Sequence, residues 1–195
     1  MGNREALVEG AKTCLLEKGY SRTTARDIAS AAGVSLAAIG YHFGSKDALL
    51  NEALRALLID EWATEVDGGA VRAAGQGPHE QFVRTWQQIA ESLENPRMRA
   101  LWAAQFEVLS LGGSMPDLVA DLAKMQGEAR EGLAHLFGGV GPDAGPEEVQ
   151  AIGSLLQALL LGVVAQRMFG PEEAPNGEQL ARSLRALADR VSPSA

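Results

Sequence analysis

Four side chains between positions 26 and 46 carry groups that bind phosphates or base edges: Arg26, Tyr41, His42 and Lys46. An arginine guanidinium can pair with O6 and N7 of guanine or with a phosphate. A phenol, an imidazole and an ammonium can each reach backbone phosphates, and the amides of a helix's first turn add to anion binding. The pattern therefore indicates nucleic-acid chemistry. Two alternatives stay open: Arg26 as a solvated surface charge, and His42 as a structural hydrogen-bonding group.

These side chains need two short helices and a tight turn to hold them, and residues 23–50 predict that arrangement. Thr24 is expected to cap the first helix, with Asp27 completing a capping box. Gly33 is expected to end that helix, because glycine takes a positive φ readily. Ser35 is expected to cap the second helix. Such a pair is a helix-turn-helix, which lays its second helix in the major groove of DNA.

In the second helix Ile39 and Phe43 are predicted to be buried, which leaves small or apolar side chains facing the groove. Small apolar groups can contact thymine methyls and let the backbone come close to DNA. The complete set of predicted DNA-binding residues is Thr24, Arg26, Ser35, Leu36, Ala37, Ala38, Gly40, Tyr41, His42 and Lys46.

The longer pattern resembles the TetR family of bacterial transcription repressors. The resemblance, over about a quarter of the chain, rests on Gly19-Tyr20, Thr23-Thr24, Asp27-Ile28-Ala29, Ala32-Gly33-Val34-Ser35, Tyr41-His42-Phe43, Ser45-Lys46 and Ala48-Leu49-Leu50. It implies phosphate contacts from Tyr41 and Lys46. Gly40 is a departure, since many members carry an aromatic residue there, and this glycine weakens the helix by roughly 1 kcal/mol relative to alanine.

Charge is divided unevenly along the chain, whose net charge is −8. Residues 1–50 carry six Lys/Arg and five Asp/Glu, and the remainder carries 11 and 20. The acidic surplus therefore lies away from the predicted DNA-binding residues and suppresses non-specific binding. A balance of +1 is a weak positive field, so DNA affinity is expected to need a dimer and close contacts.

The composition, 46% apolar and 22% charged, is ordinary for a globular protein. No secretion signal opens the chain, and its longest uncharged apolar run, 158–165, is too short to span a bilayer, so a cytoplasmic protein without a membrane partner is expected. The single cysteine, Cys14, excludes an internal disulfide. No metal site, cofactor motif or catalytic constellation is predicted, so the chain is not expected to be an enzyme.

Glycines, prolines and caps divide the chain into about nine predicted helices and no strands. Their approximate bounds are 4–18, 24–32, 35–43, 45–66, 79–94, 96–112, 114–138, 146–170 and 176–192. The expected fold class is all-α. Residues 1–47 are predicted to form a three-helix helix-turn-helix DNA-binding domain, and residues 48–195 a helical domain for ligand binding and dimerisation.

The last two predicted helices indicate self-association. The eighth has an apolar arc too wide for burial on one side, and the ninth has a narrow leucine stripe. In the TetR family these two helices pair with their copies in a second subunit. The predicted homodimer contacts are Leu156, Leu160, Val164, Leu180, Leu184 and Leu187. The alternative is that the eighth helix is simply central to its own domain.

Large, flexible apolar side chains in the middle helices suit either a plain core or an adaptable pocket. The family resemblance favours a pocket, and the predicted ligand-binding residues are Trp86, Trp102, Phe106, Met98 and Gln105. The function expected is a ligand-responsive repressor that binds a palindromic operator as a homodimer and is released by a small, largely apolar effector. The alternative is a helical ligand-binding or scaffold protein with a vestigial DNA-binding domain.

Overall fold

The regular secondary structure in the described part of the chain is all helical, in agreement with the predicted all-α fold. The computed structural model describes residues 2–58, 77–111, 116–137, 139–141 and 143–191. Within these residues there are nine helices and no strand. The helices are α1 (Asn3–Lys18), α2 (Ala25–Ala32), α3 (Ala37–Phe43), α4 (Lys46–Ala56), α5 (Pro78–Ser92), α6 (Pro96–Leu111), α7 (Pro116–Phe137), α8 (Pro146–Phe169) and α9 (Gly177–Val191).

Local capping explains where most of these helices begin. Proline occupies the first position of α5, α6, α7 and α8, where its missing N–H costs no helical hydrogen bond. The Asn95 side chain accepts a hydrogen bond from the Arg97 N–H at 2.9 Å. Asn176 and Gln179 exchange two such bonds of 2.9 Å at the start of α9. The predicted continuation of the fourth helix and the glycine-rich connection after it fall in 59–76, outside the described residues.

The chain divides into two compact units, Met1–Thr64 with Asn95–Met125, and Glu65–Glu94 with Gln126–Ala195. In the first unit α1 packs on α2, α4 and α6. Its core includes the fully buried Leu7, Ile28, Leu49 and Leu50. A Cβ at Gly10 of α1 would lie 2.9 Å from the amide nitrogen of Ala32, so α1 and α2 approach closely.

The second unit contains α5, α8, α9 and the C-terminal part of α7, and α5 packs on α9. Backbones approach closely at two glycines. A Cβ at Gly153 of α8 would collide with the Arg130 carbonyl, and one at Gly177 would collide with the Val83 carbonyl. Side chains cannot replace hydrogen at these positions without a backbone shift, which fixes the spacing of α7 from α8 and of α5 from α9.

Helix α8 has more apolar surface than its own unit covers. Among the described helices it is the one long and apolar enough to cross a membrane, a criterion that core helices of soluble proteins also meet. Only 33% of its most apolar stretch is buried. Leu156, Leu160 and Val164 face the core, while Leu155 is 53% exposed and Phe169 92% exposed.

Candidate nucleic-acid interface

Helix α2 begins with the predicted capping box. The Thr24 hydroxyl accepts a hydrogen bond from the Asp27 N–H at 3.2 Å and donates one to Oδ2 of Asp27 at 2.7 Å. The Thr24 N–H donates to the same oxygen at 2.9 Å, and Nζ of Lys18 donates to Oδ1 at 2.6 Å. These bonds, first from Lys18 and then from Thr24, hold the pKa of Asp27 well below its usual range. The Thr24 hydroxyl is therefore already engaged in orienting α2.

The turn between α2 and α3 follows the predicted glycine but begins α3 differently. Gly33 has φ 65° and ψ 29°, and its N–H donates to the Ser30 carbonyl at 3.2 Å. The prediction that Ser35 caps α3 is wrong by one residue, because Leu36 occupies the cap position in helical geometry. The Ser35 carbonyl instead accepts a hydrogen bond from the Ala38 N–H at 3.0 Å, so α3 starts with a tighter i to i+3 turn.

Helix α3 presents one side to solvent, as an element that enters a groove must. Leu36 at its cap position is exposed, as are Ala37, Gly40 and Tyr41 within the helix, and the Tyr41 side chain is 86% exposed. Ala38 and His42 are half-buried. On α2, Arg26 is exposed, and Ser35 is exposed in the turn. The predicted DNA-binding residues on this side of α3 are thus accessible within a single chain.

The inner side of α3 is only partly as predicted. Ile39 is buried, but Phe43 is half-buried. The guanidinium carbon of Arg4 lies 5.0 Å from the centre of the Phe43 ring. Oε1 and Oε2 of Glu52 both accept hydrogen bonds from Nη2 of Arg4 at 2.7 Å. The expectation of a buried Phe43 is therefore wrong, because an arginine held by α4 covers this ring in place of apolar side chains.

Two predicted phosphate contacts also have partners inside the protein. Nζ of Lys46 donates to the Thr23 carbonyl at 3.3 Å and lies 3.2 Å from Oδ1 of Asp47. The His42 ring contacts Tyr41 edge to face, with centroids 4.8 Å apart. Among the described residues the His42 imidazole has no hydrogen-bond partner. Lys46 thus also anchors the start of α4, which a phosphate contact alone would not require.

Glu107 of α6 contacts the loop between α1 and α2, and it was not among the predicted site residues. Its carboxylate accepts hydrogen bonds from the N–H groups of Tyr20 and Ser21. A bond between positions 86 or 87 residues apart leaves no periodic pattern in the sequence. The available signal was that Glu107 is the sole charged side chain between positions 100 and 116.

The predicted ligand-binding residues belong to both compact units. In the first, α6 carries Met98, Trp102 and Gln105, all buried, with Phe106 half-buried. The Trp102 and Phe106 rings lie 6.2 Å apart. Oε1 of Gln105 is buried and has no hydrogen-bond donor among the described residues.

In the second unit, Trp86 of α5 is buried beside two other aromatic rings. Its ring centre lies 5.9 Å from that of Phe82 and 6.3 Å from that of Phe137. Phe82 and Phe137 also line an open cavity of about 370 Å³, together with parts of α5, α8 and α9. That volume is in the range of small-molecule pockets, roughly 300 to 1,000 Å³.

The predicted homodimer contacts differ in how much of their surface is free. Leu156, Leu160, Val164 and Leu180 are buried within their own chain. Leu184 is half-buried and, like Leu156, lines the cavity beside Trp86. Leu187 is 56% exposed. The exposed large apolar side chains of α8 and α9 are Leu155, Phe169, Leu187 and Val191.

Replacement of Gly40 by alanine should separate helix stability from DNA contact. A Cβ at this position would have no neighbour within 4 Å, and the backbone is in the ordinary helical region. Gly40→Ala should therefore stabilise the protein by roughly 0.5 to 1 kcal/mol in thermal unfolding. If DNA approaches this backbone closely, operator affinity measured by fluorescence anisotropy should fall despite the added stability. Equal or tighter binding would contradict a close approach at position 40.

Comparisons with known proteins agree with this architecture. The sequence profile described as bacterial regulatory proteins, tetR family, matches residues 7–53. A second profile, described as tetracyclin repressor-like, C-terminal domain, matches residues 77–190. A solved structure of a putative TetR-family transcriptional regulator from Rhodococcus sp. superimposes with a TM-score of 0.65 at 19% identity, covering 97% of each chain.

Curated relatives are similar over shorter stretches. The transcriptional repressor KstR2 of Rhodococcus jostii is 42% identical over 59 residues, which are 30% of this chain and 29% of the relative. KstR2 of Mycobacterium tuberculosis is 32% identical over 108 residues, 54% of this chain and 44% of the relative. The chain thus spans less than half the length of these two relatives. The two profiles together cover most of the chain, so it belongs to the TetR family of bacterial regulatory proteins.

Proposed function

We propose that the chain is a transcription repressor that binds a palindromic operator as a homodimer and is released by a small, largely apolar effector. The observation that carries the proposal is the exposed face of α3, held by a capped α2 and a left-handed glycine turn. In this proposal residues 1–47 bind DNA and residues 48–195 bind the effector and a second subunit. The protein acts in the cytoplasm and is not an enzyme.

For DNA recognition we assign base reading chiefly to Arg26. Arg26 is exposed in the first turn of α2, and no carboxylate of the described residues lies within ion-pair distance of it. Leu36, Ala37, Ala38 and Gly40 offer small or apolar contacts to the floor of the groove. Phosphate contacts come from Ser35, Tyr41, His42 and Lys46. Thr24 caps α2 and so fixes the helix turn that carries Arg26.

For dimerisation we propose that α8 and α9 meet their copies in a second subunit. The support is the exposed apolar surface of these helices, in which Leu155 and Leu187 are each more than half exposed. A closed two-fold dimer buries the same patch on both subunits and presents two copies of α3 to a palindrome. The apolar length of α8 then serves protein–protein contact, and no membrane is involved.

For the effector we propose contacts from the buried side chains of α6. Oε1 of Gln105 supports a polar contact, because a buried acceptor without a donor is costly and a ligand donor would satisfy it. A largely apolar molecule with a few hydrogen-bonding groups fits these side chains.

Selection from a random DNA pool tests the proposal. Wild-type protein should enrich a palindromic motif, with binding that weakens steeply as salt rises. Arg26→Ala should weaken binding roughly tenfold and relax the preference at one base of each half-site. Tyr41→Phe should weaken binding to all sequences alike, and we prefer it to Lys46→Ala because Lys46 has structural partners.

The matched control is Arg182→Ala, which removes an exposed positive charge from α9 and should leave operator affinity unchanged. An unselective pool would favour the alternative of a ligand-binding protein with a vestigial DNA-binding domain. Loss of affinity in Arg182→Ala equal to that in Arg26→Ala would show a charge effect without recognition.

A further inference from the structure

The loop between α1 and α2 is tied to α6 through one carboxylate. Oε2 of Glu107 accepts a hydrogen bond from the Tyr20 N–H at 2.7 Å, and Oε1 accepts one from the Ser21 N–H at 3.0 Å. Each oxygen therefore serves a different amide of the loop. All three residues lie in the first compact unit.

The backbone before this pair of amides is shaped to admit the carboxylate. Gly19 has φ 82°, and a Cβ at this position would lie 2.9 Å from Oε2 of Glu107. A side chain at position 19 would be strained by the positive φ and would also press on the carboxylate. Glycine removes both obstacles, so the loop and α6 can approach to hydrogen-bonding distance.

Other residues of the α1–α2 loop connect it to α4 and to the start of α2. The Tyr20 ring is buried, and its hydroxyl donates to Oδ1 of Asn51 on α4 at 2.7 Å. Burial raises the pKa of Tyr20 to about 12, so this hydroxyl keeps its proton at neutral pH. The Thr23 hydroxyl is 2.7 Å from the Gly19 carbonyl, to which it donates, and Thr24 then caps α2. These contacts connect Glu107, through the loop, to the first turn of α2.

We propose that Glu107 is a positioning residue for DNA binding, whose carboxylate fixes the α1–α2 loop, and through it the start of α2, on α6. The inference rests on the proposed function for its DNA readout. It also connects the proposed effector contacts, since Gln105 and Phe106 directly precede Glu107.

The surroundings of Glu107 favour the ionised form of its carboxylate. Burial raises the pKa of Glu107, but hydrogen bonds from Ser21 and Tyr20 and the nearby Arg22 lower it more, so that the net shift is downward. The carboxylate therefore stays ionised at neutral pH and accepts from both amides. A glutamine has one acceptor oxygen, so it can satisfy only one amide and turns its NH2 group toward the other.

The test combines a distance measurement with operator affinity in the full-length chain. Spin labels at Ser30→Cys on α2 and Ala103→Cys on α6 occupy exposed positions of the same unit, and the native Cys14 is buried. Excess unlabelled protein removes distances between subunits. Wild type should give one narrow distance distribution. Glu107→Gln should at least double its width and weaken operator binding roughly tenfold.

Two variants of Glu107 show whether weaker operator binding comes from a changed position of α2, from the changed charge, or from lower overall stability. Glu107→Gln removes a negative charge, which by itself would strengthen binding to DNA, so weaker binding must come from altered position. Glu107→Asp keeps the charge but withdraws the carboxylate by one methylene, and it should broaden the distribution as well. The control Glu91→Gln removes an exposed carboxylate whose side-chain hydrogen bond among the described residues is to Gln87 of the same helix, and it should change neither readout.

The proposal is overturned if both Glu107 variants keep the wild-type width and operator affinity, even if their melting temperature falls. A lower melting temperature alone would mean that the contact is merely structural. If wild type binds no DNA, the proposed function fails. The distance measurement then still decides whether Glu107 positions α2.

Discussion

A protein carrying Leu155→Glu together with Leu187→Glu should be a folded monomer that binds operator DNA roughly 100-fold or more weakly than wild type. Both side chains are more than half exposed in the single chain, at 53% and 56%, so their replacement removes little from its own core. In a two-fold dimer each substitution places two charges in an apolar interface, where burial of unpaired carboxylates is costly. The monomer then binds one half-site and loses the effective concentration that links the two.

Sedimentation and anisotropy on the same samples measure the two effects. The matched control is Leu109→Glu, a leucine of α6 that is 45% exposed and should leave the dimer intact. Circular dichroism should show unchanged helix content in both variants. A double variant that remains dimeric at micromolar concentration would refute dimerisation through α8 and α9, and a monomeric wild type would do the same more simply.

Replacement of Gln105 by leucine should stabilise the protein while abolishing much of its effector response. The substitution removes a buried acceptor that has no donor among the described residues, which should contribute roughly 1 kcal/mol and raise Tm by about 2 to 4 °C. If the effector supplies the missing donor, the concentration of a screened hydrophobic compound needed to release operator should rise tenfold or more.

Gln157→Leu is the matched control, because it makes the same change at a satisfied glutamine. Oε1 of Gln157 accepts from Nε of Arg130 at 3.0 Å, and its Nε2 donates to the Gln126 carbonyl at 3.4 Å. This variant should lower Tm by a similar amount and leave the response to compound unchanged. A Gln105→Leu variant that is destabilised as much as Gln157→Leu would mean that Gln105 is a satisfied core residue.

The parts of the fold set by neighbouring residues were predictable from the sequence. The residues that begin or end helices affect only the neighbouring few positions; they include Thr24 with Asp27, Gly33, Asn95 and the prolines at helix starts. Most predicted helix bounds therefore agree with the structure to within three residues. The start of α3 differs because Leu36 adopts helical geometry at the cap position, which the local preference of Ser35 does not report.

Features that depend on distant partners were not predictable in this way. Phe43 is half-buried, and Arg4 of α1, which is hydrogen-bonded to Glu52 of α4, lies over its ring. The apolar arc of α8 predicts two packed sides, but not which leucine faces the core. The role of Glu107 was the hardest to predict. Its carboxylate binds backbone amides, and every residue type except proline has one, so no partner side chain in the sequence indicates the contact.

The inclusion of α6 in the same compact unit as the helix-turn-helix limits how regulators of this kind can be recombined. A chimera that joins residues 2–58 to the body of another regulator would carry Gly19, Tyr20 and Ser21 without their acceptor, unless that host has a carboxylate at the equivalent place on its own sixth helix. The two amides would then lose their charged acceptor, and the loop would lose its hydrogen bonds to α6. On the proposed role of Glu107, a working exchange of DNA specificity therefore either transfers Glu107 along with residues 2–58 or uses a host that already has a carboxylate at that place.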